Sequence, residues 1–131
     1  MANQSDVRKI ARSLPGAREA EGRFAFSVEN KGKDKGFAWV WMERVHPKKA
    51  RVPCPEVLAV RVRGRAEKLA LLKSDPDKFF TEPHYDGFPA VLVRLAAVGK
   101  AELRALIVEA WRCQAPAKLA AELEDKKSGR R

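Results

Sequence analysis

The chain has 131 residues, 45% hydrophobic and 34% charged, enough to bury one core and too apolar to stay disordered. Its longest wholly apolar run, Phe37 to Met42, is six residues, far short of the roughly 18 that a membrane-spanning helix needs. Twenty-seven Lys and Arg against 17 Asp and Glu leave a net charge of +10, which favours a polyanionic partner.

In chain order, "SDVRKIARSL" reads as a first helix, capped by Ser5 or Asp6, with Val7, Ile10, Ala11 and Leu14 on one face. Pro15-Gly16 stops it. The period then becomes two: in "RFAFSVE", Phe24, Phe26 and Val28 oppose Arg23, Ala25, Ser27 and Glu29. "NKGKDK" is a hairpin loop, and "GFAWVWME" is apolar on both faces, as a central strand is. The stretch Arg44 to Glu56 holds three prolines and reads as a long irregular loop. "VLAVRVR" alternates again, "RAEKLALLKS" reads as a helix, and "PAVLVRL" is the last strand. "KAELRALIVEAWRCQ" carries Leu103, Leu106, Ile107, Ala110 and Trp111 on one helical face. Pro116 suits the first position of a short final helix, "PAKLAAELE".

This order predicts an α+β two-layer sandwich, an antiparallel sheet covered on one face by the N- and C-terminal helices. Residues 1–124 form one domain and 125–131 a basic tail. The open face would carry Ala25, Ser27, Arg61, Arg63 and Arg94, joined by either Phe37/Trp39/Trp41 or Ala38/Val40/Met42. The size of the tryptophans favours the core for them. Exposed, they would make an aromatic platform among arginines, or serve as the surface on which arginines stack.

Charge is uneven. Residues 30 to 65 hold ten basic side chains against three acidic ones, and the last seven residues add three more net positive charges. The basic loops supply Lys31, Lys33 and Lys35, then Lys48, Lys49 and Arg51. In a meander these two loops lie at opposite ends of the sheet, so they could flank a duplex lying along the open face. Cys54 and Cys113 are 59 positions apart and read as free thiols in a reducing compartment.

The densest chemistry is "TEPHYDGFPAVLVRL", with Glu82, His84, Tyr85 and Asp86. A proton-transfer or metal site needs convergent groups, and the other histidine, His46, stands in a distant loop with no H-x-x-x-H spacing. Pro83, Pro89 and the turn pair Asp86-Gly87 favour a strand entry, with Tyr85 and Phe88 packing over the sheet edge. Catalysis through His84 is the minor reading.

"SLPGAREAEGRFAFSV", "FFTEPHYDGFPAVLVRL" and "ELRALIVEAWRCQAPAKLA" resemble the MmcQ/YjbR family of small bacterial proteins over roughly residues 5 to 120. The shared features are Leu14-Pro15-Gly16 with Glu19 and Glu21 behind it, Phe24 and Phe26, and the aromatic approach to the last strand. The stretch 30 to 56 matches less well. The resemblance implies a frataxin-like (CyaY-like) fold and a "double wing" DNA-binding role, and it brings no catalytic residue. Such a fold raises iron binding, which needs clustered carboxylates. Here the first helix offers Asp6 alone against Arg8, Lys9 and Arg12, so no metal or cofactor is expected.

The expectation is therefore a cytoplasmic, monomeric, non-catalytic protein that binds double-stranded DNA with little sequence preference and does not bind membranes. Lys31, Lys33, Lys35, Lys48, Lys49 and Arg51 would contact phosphates from the loops, and Arg61, Arg63 and Arg94 from the sheet face. The alternative is a protein–protein module that docks a partner on the open face.

Overall fold

The computed structural model describes residues 2–43, 48–85 and 87–127, without the side chains of 84 and 124–127. Helix α1 (Gln4–Arg12) is capped earlier than expected, by Asn3, two residues before Ser5 and three before Asp6. Its side chain accepts from the Asp6 N–H at 3.0 Å while the Asp6 carboxylate accepts from the Asn3 N–H at 3.1 Å. Asp6 is thus the reciprocal partner in a capping box and not the cap itself.

Six strands form one sheet: β1 (Ala17–Glu19), β2 (Ala25–Asn30), β3 (Lys33–Glu43), β4 (Val52–Arg61), β5 (Phe79–Phe80) and β6 (Ala90–Arg94), with helix α2 (Arg65–Ser74) between β4 and β5. Their spatial order is β1-β2-β3-β4-β6-β5 and every pair is antiparallel. Helices α3 (Lys100–Gln114) and α4 (Ala117–Lys127) follow. The expected α+β sandwich is present, with three differences of extent.

First, β1 and β5 were not foreseen, because three and two residues are too short to show a period. Second, β4 begins at Val52, inside the expected 44–56 loop, of which 44–47 lie outside the described residues. Pro53 and Pro55 fit there because β6 pairs with β4 only from Val57 onward, so this part of β4 has a free edge. Third, α4 runs to Lys127, past the expected end at Glu124.

The turn between β2 and β3 is tight. Lys31 (φ 55°) and Gly32 (φ 80°) are both left-handed, the geometry of a type I′ hairpin turn that twists with its strands.

Strand β3 breaks its own alternation. Phe26 faces Ala38 and Ser27 faces Gly36, so Phe37 is an extra, bulged residue. The bulge lets both Phe37 and Ala38 enter the helix-side core. It also sends Trp39 and Trp41 to the other face. Phe37 is thereby separated from Trp39 and Trp41, which join the second face without it, since a strict period of two cannot anticipate an inserted residue.

The main core joins Phe26, Val28, Phe37, Leu58 and Val91 of the sheet to Val7 and Ala11 of α1 and Leu103, Ile107 and Trp111 of α3. Trp111 is fully buried and donates its indole N–H to the Pro15 carbonyl at 3.0 Å. Gly16, at φ +70°, lies where an added Cβ would come within 2.8 Å of Leu119 of α4. The Leu14-Pro15-Gly16 motif is therefore the seam where α1, α3 and α4 meet.

Candidate nucleic-acid interface

The second sheet face is only half open. After β5, the chain forms a one-turn 3-10 helix at Pro83–Tyr85 and returns as β6. This segment lies over the β3–β4–β6 half. Tyr85 contacts Trp39 and Trp41 edge-on at centroid distances of 6.4 and 5.2 Å, and Trp39 donates its indole N–H to the Tyr85 hydroxyl at 2.6 Å. Phe88 contacts Trp39 at 6.2 Å. Beneath them Trp41, Val57, Ala59 and Leu92 form a small second core. Trp41 is buried, as its size suggested, and Trp39 is half-buried, but both sit away from the helices.

Lys68 of α2 pins the segment. It is buried, and its ammonium donates to the carbonyls of Tyr85 at 2.6 Å and Phe88 at 2.9 Å. The stretch around Tyr85 thus serves as the entry to a strand and as a cover for the aromatic cluster. The His84 side chain and Asp86 lie outside the described residues. Among the described residues, no group of three His, Cys, Asp or Glu stands close enough to hold a metal.

Three arginines of this face stack on aromatic rings. The Arg94 guanidinium lies 4.0 Å from the Phe80 centroid, Arg61 5.5 Å from Phe88, and Arg51 5.6 Å from Trp41. Arg51 also donates to the Met42 carbonyl at 3.0 Å. Arg63 is not on this face, contrary to expectation. β4 ends at Arg61, and Arg63 turns to the helix layer, where it donates to Glu109 of α3 at 3.0 Å. A strand pattern extended two residues too far produced that misplacement.

The hairpin lysines behave differently. Lys31, Lys33 and Lys35 are exposed and line one shallow depression of about 300 Å³ together with Asn30. Among the described residues, none of the three makes a side-chain hydrogen bond or ion pair. Asn30 anchors the hairpin by donating to the Gln114 carbonyl at the end of α3, 2.9 Å away, and Gln114 donates to Gly36 at 2.9 Å. Lys48 and Lys49 are exposed at the opposite end of the sheet, beyond Glu43. The structure therefore does not bring the two basic loops together.

Glu19, expected only as a motif residue, accepts from Arg8 at 3.0 and 2.8 Å and from Arg12 at 3.1 Å. These bonds, those of Arg8 foremost, hold its carboxyl below the usual range. Burial pushes the Cys113 thiol up.

No helix among the described residues is long and apolar enough to cross a membrane. The family model described as YjbR matches residues 12–113. Uncharacterized proteins of Mycobacterium bovis and Mycobacterium tuberculosis are 48% identical over 67 residues, 51% of this chain and 52% of theirs. The chain thus spans about half the length of the curated relatives it matches. A crystal structure of a Deinococcus radiodurans protein with the family-model domain DUF419 superposes with a TM-score of 0.66 at 18% identity, covering 95% of this chain and 89% of that one.

Proposed function

The chain belongs to the YjbR family, and from that premise we propose that it is a non-catalytic nucleic-acid-binding protein whose β2–β3 hairpin contacts the phosphates of double-stranded DNA. The observation that carries this reading is the cluster of Lys31, Lys33 and Lys35 on a tight two-stranded tip, exposed and without an ion pair among the described residues. A two-stranded ribbon is of a size that the major groove admits. Lysines act on phosphate as point charges, so little sequence preference is expected.

The test is fluorescence anisotropy with a labelled 20-base-pair duplex across a salt series. Non-specific affinity on the order of 10⁻⁴ to 10⁻⁶ M is expected near physiological salt. Lys31→Glu/Lys33→Glu/Lys35→Glu should abolish it. Absence of binding by the parent at low salt would remove the reading. A second reading, a protein partner docked on the sheet face, is favoured by the groove of about 650 Å³ over β1–β3 that the covering segment leaves free, with Trp39 as a wall and Met42 exposed at one end. Its binding would change little with salt, because no counterions are released.

A further inference from the structure

Resting on that nucleic-acid reading, we infer that the duplex lies across the helix layer and not across the sheet face, with a second phosphate-binding surface formed by Lys9, Lys100 and Arg104.

The hairpin lysines point that way. Lys35 is paired with Val28 and Lys33 with Asn30, and residues directly opposite in an antiparallel pair share a face. Val28 is fully buried in the helix-side core, and Asn30 bonds to α3. Lys33 and Lys35 therefore project on the side of the helices. The acidic side chains of this hairpin, Glu29 and Asp34, alternate to the opposite face, where Arg18 joins both at 2.9 Å.

At the other end of α3 stands a second cationic cluster. Lys9 of α1 and Lys100 and Arg104 of α3 line a depression of about 330 Å³ floored by Ile10 and Ala101. All three cations are exposed. Among the described residues, Lys9 and Arg104 make no side-chain hydrogen bond or ion pair. The one carboxylate in the lining, Asp6, is committed to the Asn3 N–H and lies 3.8 Å from Lys100. The neighbouring carboxylates of α3 are also engaged, Glu102 by Lys78 and Glu109 by Arg63. Three cations gathered with one compensated acid form a local positive field in the free protein, and phosphates would neutralise it.

The spacing suits a duplex. Gln114 marks the hairpin end of α3 and Lys100 its start, 14 steps apart. At about 1.5 Å per residue the two clusters are separated by about 21 Å along the helix, or about six base pairs. The sheet face offers no comparable set: Arg51, Arg61 and Arg94 lie on rings, and Arg18 is held by two carboxylates.

The experiment compares the salt dependence of 20-base-pair duplex binding in four full-length proteins. These are the parent, Lys9→Gln/Lys100→Gln/Arg104→Gln, the hairpin variant Lys31→Glu/Lys33→Glu/Lys35→Glu, and Arg23→Gln/Arg94→Gln as a sheet-face control, Arg23 lining the groove over β1–β3, each checked for an unchanged thermal unfolding midpoint. The single variant Arg104→Gln serves if the triple is less stable. The helix-layer triple should reduce the slope of log K against log salt by about 2.7, and Arg104→Gln by about 0.9, at about 0.9 per phosphate contact. The control should bind as the parent does. If the helix-layer variants keep the parent's slope and affinity while the hairpin variant loses binding, the surface is wrong and the nucleic-acid reading survives. If the control loses as much as the triple, the duplex sits on the sheet face. A parent that binds no duplex at low salt removes both.

Discussion

Two sets of cations, both expected from the sequence to contact phosphates, meet different fates. Arg51, Arg61 and Arg94 lie against Trp41, Phe88 and Phe80. Lys31, Lys33 and Lys35 stand in solvent on the hairpin. A guanidinium is planar and weakly hydrated, so it covers an aromatic ring at small cost, whereas an ammonium keeps its water. Counting formal charge gives both sets the same weight. Their surroundings make the first a lid over a minor core and leave the second available to a ligand.

The contrast is broken most severely by loosening the cover. In Lys68→Met the Tyr85 and Phe88 carbonyls lose the buried ammonium. Each carbonyl keeps a backbone donor, the Phe88 N–H on Tyr85 and the Ala90 N–H on Phe88, so what is lost is two hydrogen bonds to a charged group, worth about 1.5–3 kcal/mol each. A loss of about 3 kcal/mol is expected in urea unfolding, with increased quenching of Trp39 and Trp41 by acrylamide. Duplex affinity per folded molecule should be unchanged. A variant as stable as the parent would mean that the aromatic contacts alone hold the segment. Neutralising the hairpin sharpens the contrast from the other side. Lys31→Gln/Lys33→Gln/Lys35→Gln should leave stability within about 0.5 kcal/mol, as exposed substitutions do. The salt response should flatten: three lost contacts correspond to about a forty-fold smaller change in affinity between 50 and 200 mM salt.

Next in size is the Glu19 cluster. Its folded carboxyl titrates below the usual range because Arg8 and Arg12 donate to it. A depressed carboxyl contributes stability above its unfolded value, and that contribution disappears as pH falls through the folded one. Glu19→Gln should therefore be about 1 kcal/mol less stable at pH 7, and the gap should close as pH drops below about 4. A gap that persists at pH 2 would assign the effect to packing.

The long elements were legible because their periods are long. The bounds of α2 and α3 agree with the sequence pattern to the residue. β3 is the inner strand that its two apolar faces demanded. The residues placed on the wrong face share one physical cause, that a local deviation from period reassigns every side chain beyond it. The Phe37 bulge moved the tryptophans, and the end of β4 at Arg61 moved Arg63. The hairpin cluster could be read from "NKGKDK", but the face it occupies could not, since that depends on register with Val28. Lys9 and Arg104 lie 95 positions apart and meet only through the packing of α1 on α3. Lys100 and Arg104, four apart on one helix, were the one local signal for that cluster.

The smallest effect tests the stacking itself. Arg94 is exposed, and its guanidinium sits closer to a ring than any other cation described, at 4.0 Å from Phe80. An exposed cation–π contact contributes about 0.5–1 kcal/mol, so Arg94→Ala should lower stability by that amount. Arg94→Lys should recover part of it, since an ammonium keeps the charge and loses the flat contact. The informative quantity is the coupling of Arg94→Ala with Phe80→Leu in a double-mutant cycle, because the cycle removes the burial that each side chain contributes alone. A coupling near 0.5 kcal/mol would place Arg94 among the residues that build the sheet face. A coupling of zero, together with weaker duplex binding by Arg94→Ala, would return it to the binding surface and erase the difference between the two sets of cations.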